Sequence, residues 1–228
     1  MTPVLLLHGA LGASTQLENL KRILESSGRK VLLLNFSGHG SSAFASDFGI
    51  QQFAHDVHLF LDQQNISEVD VFGYSMGGYV ALWLAYQHPG RVRKIVTLGT
   101  KFDWSPDSAS REVKKLDAGK ILEKVPAFAR ILETRHAPND WKELLGKTSD
   151  MMLTLGGDPL LKEHHFSTIK TPTLIMIGDQ DDMADHGYSE LVSKTLLNGE
   201  FRLLSNTLHP IEKVDQQNLG GILMDFFD

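Results

Sequence analysis

Val71-Phe72-Gly73-Tyr74-Ser75-Met76-Gly77-Gly78 sets a serine between glycines where a strand should turn sharply into a helix. Val69, Val71 and Phe72 read as a short buried strand, and Val80, Ala81, Leu84 and Ala85 recur at helical spacing until Pro89-Gly90 stops them. A side chain at Gly73 or Gly77 would crowd a turn that holds the serine in a strained backbone conformation, its oxygen raised above the sheet edge. Ser75 is therefore the candidate nucleophile. The alternative is a glycine-rich turn with a surface serine, and partners elsewhere in the chain decide between the two.

Upstream, Val4 to Leu7 is a continuous apolar run of the kind that a strand buried on both faces shows, ending in His8-Gly9-Ala10-Leu11-Gly12. Leu17, Leu20, Ile23 and Leu24 form a helical stripe closed by Ser26-Ser27-Gly28, and Val31 to Leu34 is a second buried strand. Ile50, Phe53, Ala54, Val57, Phe60 and Leu61 mark an amphipathic helix leading to the strand before Ser75. Downstream, Ile95 to Leu98 is a strand ending at Gly99-Thr100, Thr173 to Ile177 another, and Phe201 to Leu204 the last. Tyr188, Leu191, Val192, Thr195 and Leu196 mark one late helix, and Leu219, Ile222, Leu223 and Phe226 the closing one. Six strands alternating with helices predict an α/β fold: a mostly parallel sheet covered on both faces, with ligands at the carboxyl ends of the strands. The alternation breaks between about Lys101 and Lys170, where Trp104, Phe128, Trp141, Met151, Met152 and Leu153 predict several short helices rather than a linker. Residues 1–100 and 171–228 are thus expected to form the core, and 101–170 a small helical cap inserted into it.

With 228 residues and 42% hydrophobic content, the chain suffices for one substantial core and a modest insertion. A net charge of -6 gives no basic footprint for nucleic acid or an anionic membrane. No cysteine is present, so thiolate catalysis, disulfides and thiolate metal sites are excluded. Met1-Thr2-Pro3 and the four apolar residues after it lack the basic flank and length of a signal peptide, and no run approaches a membrane span, so a cytoplasmic location is expected. His55 and His58, one helical turn apart, and the adjacent His164 and His165 lack a third ligand at matching spacing, so no metal is expected. No phosphate-binding or dinucleotide motif is present, and no cofactor is implied. A small-molecule substrate is the one partner expected; the oligomeric state is not legible.

His8-Gly9, the Gly38-His39-Gly40-Ser41 turn, Gly73-Tyr74-Ser75-Met76-Gly77-Gly78, Gly178-Asp179-Gln180-Asp181 and His209-Pro210 together resemble the serine-nucleophile branch of the α/β-hydrolase superfamily. The resemblance spans nearly the whole chain, in the order nucleophile, acid, histidine that this fold requires. It departs at the start, where the family usually has two further strands before the His-Gly loop, so a shortened sheet is implied.

The resemblance implies a catalytic triad of Ser75, Asp181 and His209, with Asp181 preferred to Asp179 and Asp182 because it stands three residues after Gly178. Imidazole is needed because a neutral hydroxyl attacks carbonyls slowly, and the carboxylate fixes its tautomer. The backbone N–H groups of Ala10 and Met76 are the implied oxyanion hole. Leu11, Tyr74, Phe102, Trp104 and Met152 are the candidate pocket residues, while His8 and His39 are expected to brace their loops. The favoured function is a carboxylesterase-like serine hydrolase cleaving an ester or thioester of a small or medium substrate through an acyl-enzyme on Ser75. Two other classes stay open: a lyase similar to SHCHC synthase, or a C–C bond hydrolase; and a non-catalytic ligand receptor. Tyr79 stands where that lyase carries arginine, and a serine rather than an aspartate nucleophile argues against the haloalkane dehalogenase and epoxide hydrolase branches.

Overall fold

The computed structural model describes residues 1–228. Its centre is one six-stranded sheet built from β1 (Val4–Leu7), β2 (Val31–Leu34), β3 (Val69–Tyr74), β4 (Val92–Leu98), β5 (Thr173–Gly178) and β6 (Gly199–Leu204). The spatial order is β2-β1-β3-β4-β5-β6, and every adjacent pair is parallel. The sheet is therefore wholly parallel, where a mostly parallel one was expected. From β1 the chain crosses to β2 on one side, then returns to place β3 on the other. That reversal splays the loops after β1 and β3 apart, and such a switch point is where parallel sheets bind ligands.

Residues on both faces of the central strands are apolar because helices cover both sides. One face packs under α2 (Ile50–Gln63), α3 (Met76–Gln87) and α9 (His186–Thr195) through Phe53, Val57, Val80, Leu84 and Val192. The other packs under α1 (Glu18–Glu25) and α10 (Gln216–Phe227) through Leu20, Leu24, Leu219, Leu223 and Phe227.

Two strands begin earlier than their apolar runs. β4 starts at Val92 because Arg93 and Lys94, which break the pattern, have partners: Arg93 makes a paired contact with the buried Asp70 carboxylate at 2.8 and 2.5 Å, and Lys94 Nζ donates to the Phe226 carbonyl at 2.7 Å. β6 starts at Gly199 because it is an edge strand whose Glu200 and Arg202 face solvent.

Between β4 and β5 run α4 (Pro106–Val113), α5 (Ala118–Lys124), α6 (Pro126–His136), α7 (Trp141–Gly157) and α8 (Glu163–Phe166). α7 is longer than the short helices expected there: its 17 residues carry a buried stripe of Leu144, Leu145, Thr148, Met151 and Leu155. This segment has only a small cluster of its own, formed by Ile121, Ala129, Leu132, Trp141, Leu144 and Leu145 with Leu11. Met151, Leu155, Leu161 and Phe166 instead join the larger core cluster beneath them.

Candidate active site

Ser75 sits between β3 and α3 with φ 52° and ψ -119°, a region that L-residues rarely adopt. The surroundings hold it there. Its N–H donates to the Leu98 carbonyl at 2.8 Å, and its carbonyl accepts from Gly78 N at 3.0 Å and Thr100 Oγ1 at 2.9 Å. The turn closes without room for side chains: a Cβ on Gly73 would lie 2.4 Å from Gly78 N, and one on Gly77 would lie 2.5 Å from the Leu7 carbonyl oxygen.

His209 follows β6, and Asp181 follows β5. His209 Nδ1 and Asp181 Oδ2 are 2.7 Å apart, both groups being buried. Burial alone would raise the Asp181 carboxyl, but the His209 hydrogen bond and charge, with N–H bonds to Oδ1 from Met183 at 2.9 Å and Ala184 at 3.0 Å, outweigh it and hold the group below the usual carboxylate range. The pair needs the bare backbone of Gly99 (φ 62°), where a Cβ would come 2.9 Å from Asp181 Oδ2 and 3.1 Å from the imidazole. Asp179 accepts from Thr207 N at 3.1 Å and so braces the loop that carries His209, while Asp182 is exposed.

Ser75, His209, Ala10 and Met76 line one cavity of about 450 Å³. Met76 N is the first amide of α3, and neither it nor Ala10 N has an acceptor within the protein. Both are free to donate to a ligand atom, and the helix N-terminus favours a negative one.

Of the candidate pocket residues, Leu11, Tyr74, Trp104 and Met152 line the cavity. Tyr74 also donates its hydroxyl to the His209 carbonyl at 3.1 Å, bracing that loop. Phe102 requires correction: it is 3% exposed, lies outside the cavity and packs edge-on against Phe166 in the core. Sequence reading missed Ile50, Tyr79, Met151 and Leu155 on the apolar wall, and Gln16, Arg135 and Glu212 at a polar end. Glu212, three residues after His209, was the one with a positional signal. Gln16 Nε2 donates to Glu212 Oε1 at 2.6 Å, and Arg135 Nη2 lies 3.6 Å from the same oxygen.

Three buried histidines underlie this site. His8 Nε2 accepts from Phe36 N at 3.3 Å, so its Nδ1–H donates to the Gly9 carbonyl at 2.8 Å, and His39 stacks on Phe48. Desolvation holds His8 and His136 each down to about 4 and pushes His39 well below its ordinary value. A histidine whose folded pKa is depressed contributes full stability above its unfolded pKa of about 6.5 and loses it as pH falls toward the folded value. Stability is therefore expected to drop between pH 6.5 and about 4, by up to about 3 kcal/mol for each of His8 and His136. Urea unfolding across that range checks this: His136→Gln should flatten the pH slope, and an unchanged slope would contradict it. Elsewhere, His58 stacks on His88, and the His164 and His165 rings lie tilted against each other. No group of three or more histidine or carboxylate side chains is placed to hold a metal ion.

A parallel sheet with a strained serine at its switch point, and the histidine of a buried His–Asp pair lining the same cavity, is a known architecture. Residues 2–132 match the family model described as alpha/beta hydrolase fold, and the chain belongs to that family. It is 30% identical over 126 residues to the sn-1-specific diacylglycerol lipase ABHD11 of Mus musculus, a match covering 54% of this chain but only 41% of that protein. It is 23% identical over 217 residues to the pimeloyl-[acyl-carrier protein] methyl ester esterase of Neisseria meningitidis, covering 87% of this chain and 68% of the relative. Among solved structures, NosK from Streptomyces actuosus superposes with TM-score 0.85 at 20% identity, covering 100% of this chain and 98% of that one, a likeness of fold. The chain thus spans less than half the length of the lipase relative and about two thirds of that of the esterase relative. No helix is long and apolar enough to cross a membrane.

Proposed function

We propose that the protein is a serine hydrolase that cleaves a carboxylic ester or thioester of a small or medium substrate through an acyl-enzyme on Ser75. The observation that carries this reading is the 2.7 Å His209–Asp181 bond, with His209 lining one cavity together with the strained Ser75 and two unpartnered amides. His209 takes the hydroxyl proton as Ser75 Oγ bonds to the substrate carbonyl carbon, and the carbonyl π electrons move onto oxygen. The Ala10 and Met76 amides stabilise that oxyanion. Collapse expels the alcohol or thiol, which takes the proton from His209. Water then attacks the acyl-enzyme by the same steps, releasing the acid and restoring Ser75. Asp181 keeps the proton on Nδ1 and stabilises the imidazolium, so Asp181→Asn should lower kcat by about 10³- to 10⁴-fold with the fold intact.

The wall of Ile50, Tyr79, Trp104, Met151, Met152 and Leu155 suits an apolar acyl group, and the cavity volume supports a small or medium one. A lyase reading is less favoured: Tyr79 supplies no cation, and its hydroxyl already accepts from Leu161 N at 2.9 Å. Pre-steady-state release of p-nitrophenol from the acetate and butyrate esters tests the proposal. A burst in the wild type that is lost in Ser75→Ala supports it. Elimination of a lyase substrate without an acyl-enzyme, or ligand-dependent stabilisation without turnover, would replace it with the lyase or the receptor.

A further inference from the structure

We infer that α6 of the cap is a working part of the oxyanion hole, with Arg135 and His136 as positioning residues that hold the Leu11 carbonyl and so aim the Ala10 amide. The inference rests on the serine-hydrolase reading above.

Gly9-Ala10-Leu11-Gly12 is a turn closed by a bond from Gly12 N to the Gly9 carbonyl at 3.1 Å. Leu11 has φ 56°, where a turn of this kind ordinarily carries glycine. A leucine there is strained, and the conformation persists only if its surroundings over-determine it. The cap does so twice. The Leu11 carbonyl accepts from Arg135 Nη1 and from His136 Nε2, each at 3.0 Å. The Leu11 side chain sits in the small hydrophobic cluster whose other buried members all come from α5, α6 and α7.

The roles of the His136 nitrogens follow from its second bond. Gly40 N donates to Nδ1 at 3.0 Å, so Nδ1 is bare and Nε2 carries the proton given to Leu11. One fully buried ring thus ties the loop after β1 to the loop after β2. Cap attachment does not depend on that ring alone. Asn139 Nδ2 donates to the Gly40 carbonyl at 3.1 Å and the Ser42 carbonyl at 2.7 Å, and Tyr79 binds Leu161 N. The consequence specific to His136 and Arg135 is the orientation of the turn that carries Ala10. Undocking α6 would leave the Ala10 peptide held only through the His8 and Gly12 bonds to the Gly9 carbonyl, loosening the aim of one oxyanion donor.

Steady-state kinetics on p-nitrophenyl butyrate with wild type, His136→Ala, His136→Gln and Arg135→Gln test this, together with two inhibitors. Butyramide reports ground-state binding. A butyl trifluoromethyl ketone reports oxyanion stabilisation, because Ser75 Oγ adds to its carbonyl and leaves a charged oxygen in the hole. His136→Ala should lower kcat by about 10- to 100-fold, with KM and butyramide affinity changed less than about threefold. Ketone affinity should fall in parallel with kcat. His136→Gln, whose amide can accept from Gly40 and donate to Leu11, should recover most of both. Arg135→Gln removes one of the two donors at a less buried position and should give a smaller loss of the same kind, which covers the case that His136→Ala does not fold. A folded His136→Ala with wild-type kcat, or one that loses butyramide and ketone affinity equally, overturns the positioning role while Ser75-dependent turnover keeps the hydrolase reading. A wild type that neither turns over the ester nor adds to the ketone overturns both.

Discussion

Ser75→Ala is expected to lower kcat on p-nitrophenyl butyrate by about 10⁴- to 10⁶-fold, and His209→Ala by a similar factor. Because the two groups act as one unit, the double variant should be little worse than either alone, a non-additivity that unrelated structural damage would not produce. The stability of the same position should respond in the opposite sense. Ser75 is held at φ 52° and ψ -119° by bonds to Leu98, Gly78 and Thr100, a conformation that glycine adopts without strain. Ser75→Gly should therefore be inactive yet more stable than Ser75→Ala by about 1 kcal/mol or more. Turnover and urea unfolding of the wild type, Ser75→Ala and Ser75→Gly, with turnover of His209→Ala and the double variant, read these effects. Retained Ser75→Ala activity would remove the nucleophile, and equal stability of the alanine and glycine variants would remove the strain.

Gly77→Ala is expected to cost about 3–5 kcal/mol of stability. The new Cβ would lie 2.5 Å from the Leu7 carbonyl oxygen and 2.8 Å from that of His8. Both are backbone atoms of β1 or the residue after it, so neither can rotate away, and α3 would have to lift off the sheet. Gly221→Ala is the contrasting control. Gly221 lies inside α10 with nothing within 4 Å of its Cβ position, so the same methyl should stabilise by about 0.5–1 kcal/mol through helix propensity. Urea midpoints at constant m-value measure both, and a Gly77→Ala loss under about 1 kcal/mol would show that the helix–strand contact yields easily.

Much of the architecture was local enough to be legible. Val4–Leu7, Val31–Leu34 and the 174–177 stretch of β5 are uninterrupted apolar runs because helices cover both faces of a parallel sheet. Gly73, Ser75 and Gly77 announced the sharp turn because its backbone geometry depends on those residues themselves. The starts of β4 and β6 were hidden because Arg93, Lys94 and Glu200 break the apolar pattern, and only partners far along the chain, or an exposed sheet edge, make them compatible with a strand.

By itself, then, the sequence determined the element types, the alternation that makes the sheet parallel, and the glycine-lined turn at Ser75, all of which depend on residues close together in the chain. The tertiary structure alone decided the strand order β2-β1-β3-β4-β5-β6 and brought His209 to the carboxylate of Asp181, 28 residues away. It also decided that Phe102 fills the core while Arg135 and His136, unremarkable at the end of α6, reach across to Leu11. Such contacts depend on how separately formed elements pack, and no local pattern of propensity or spacing encodes which side chains then meet.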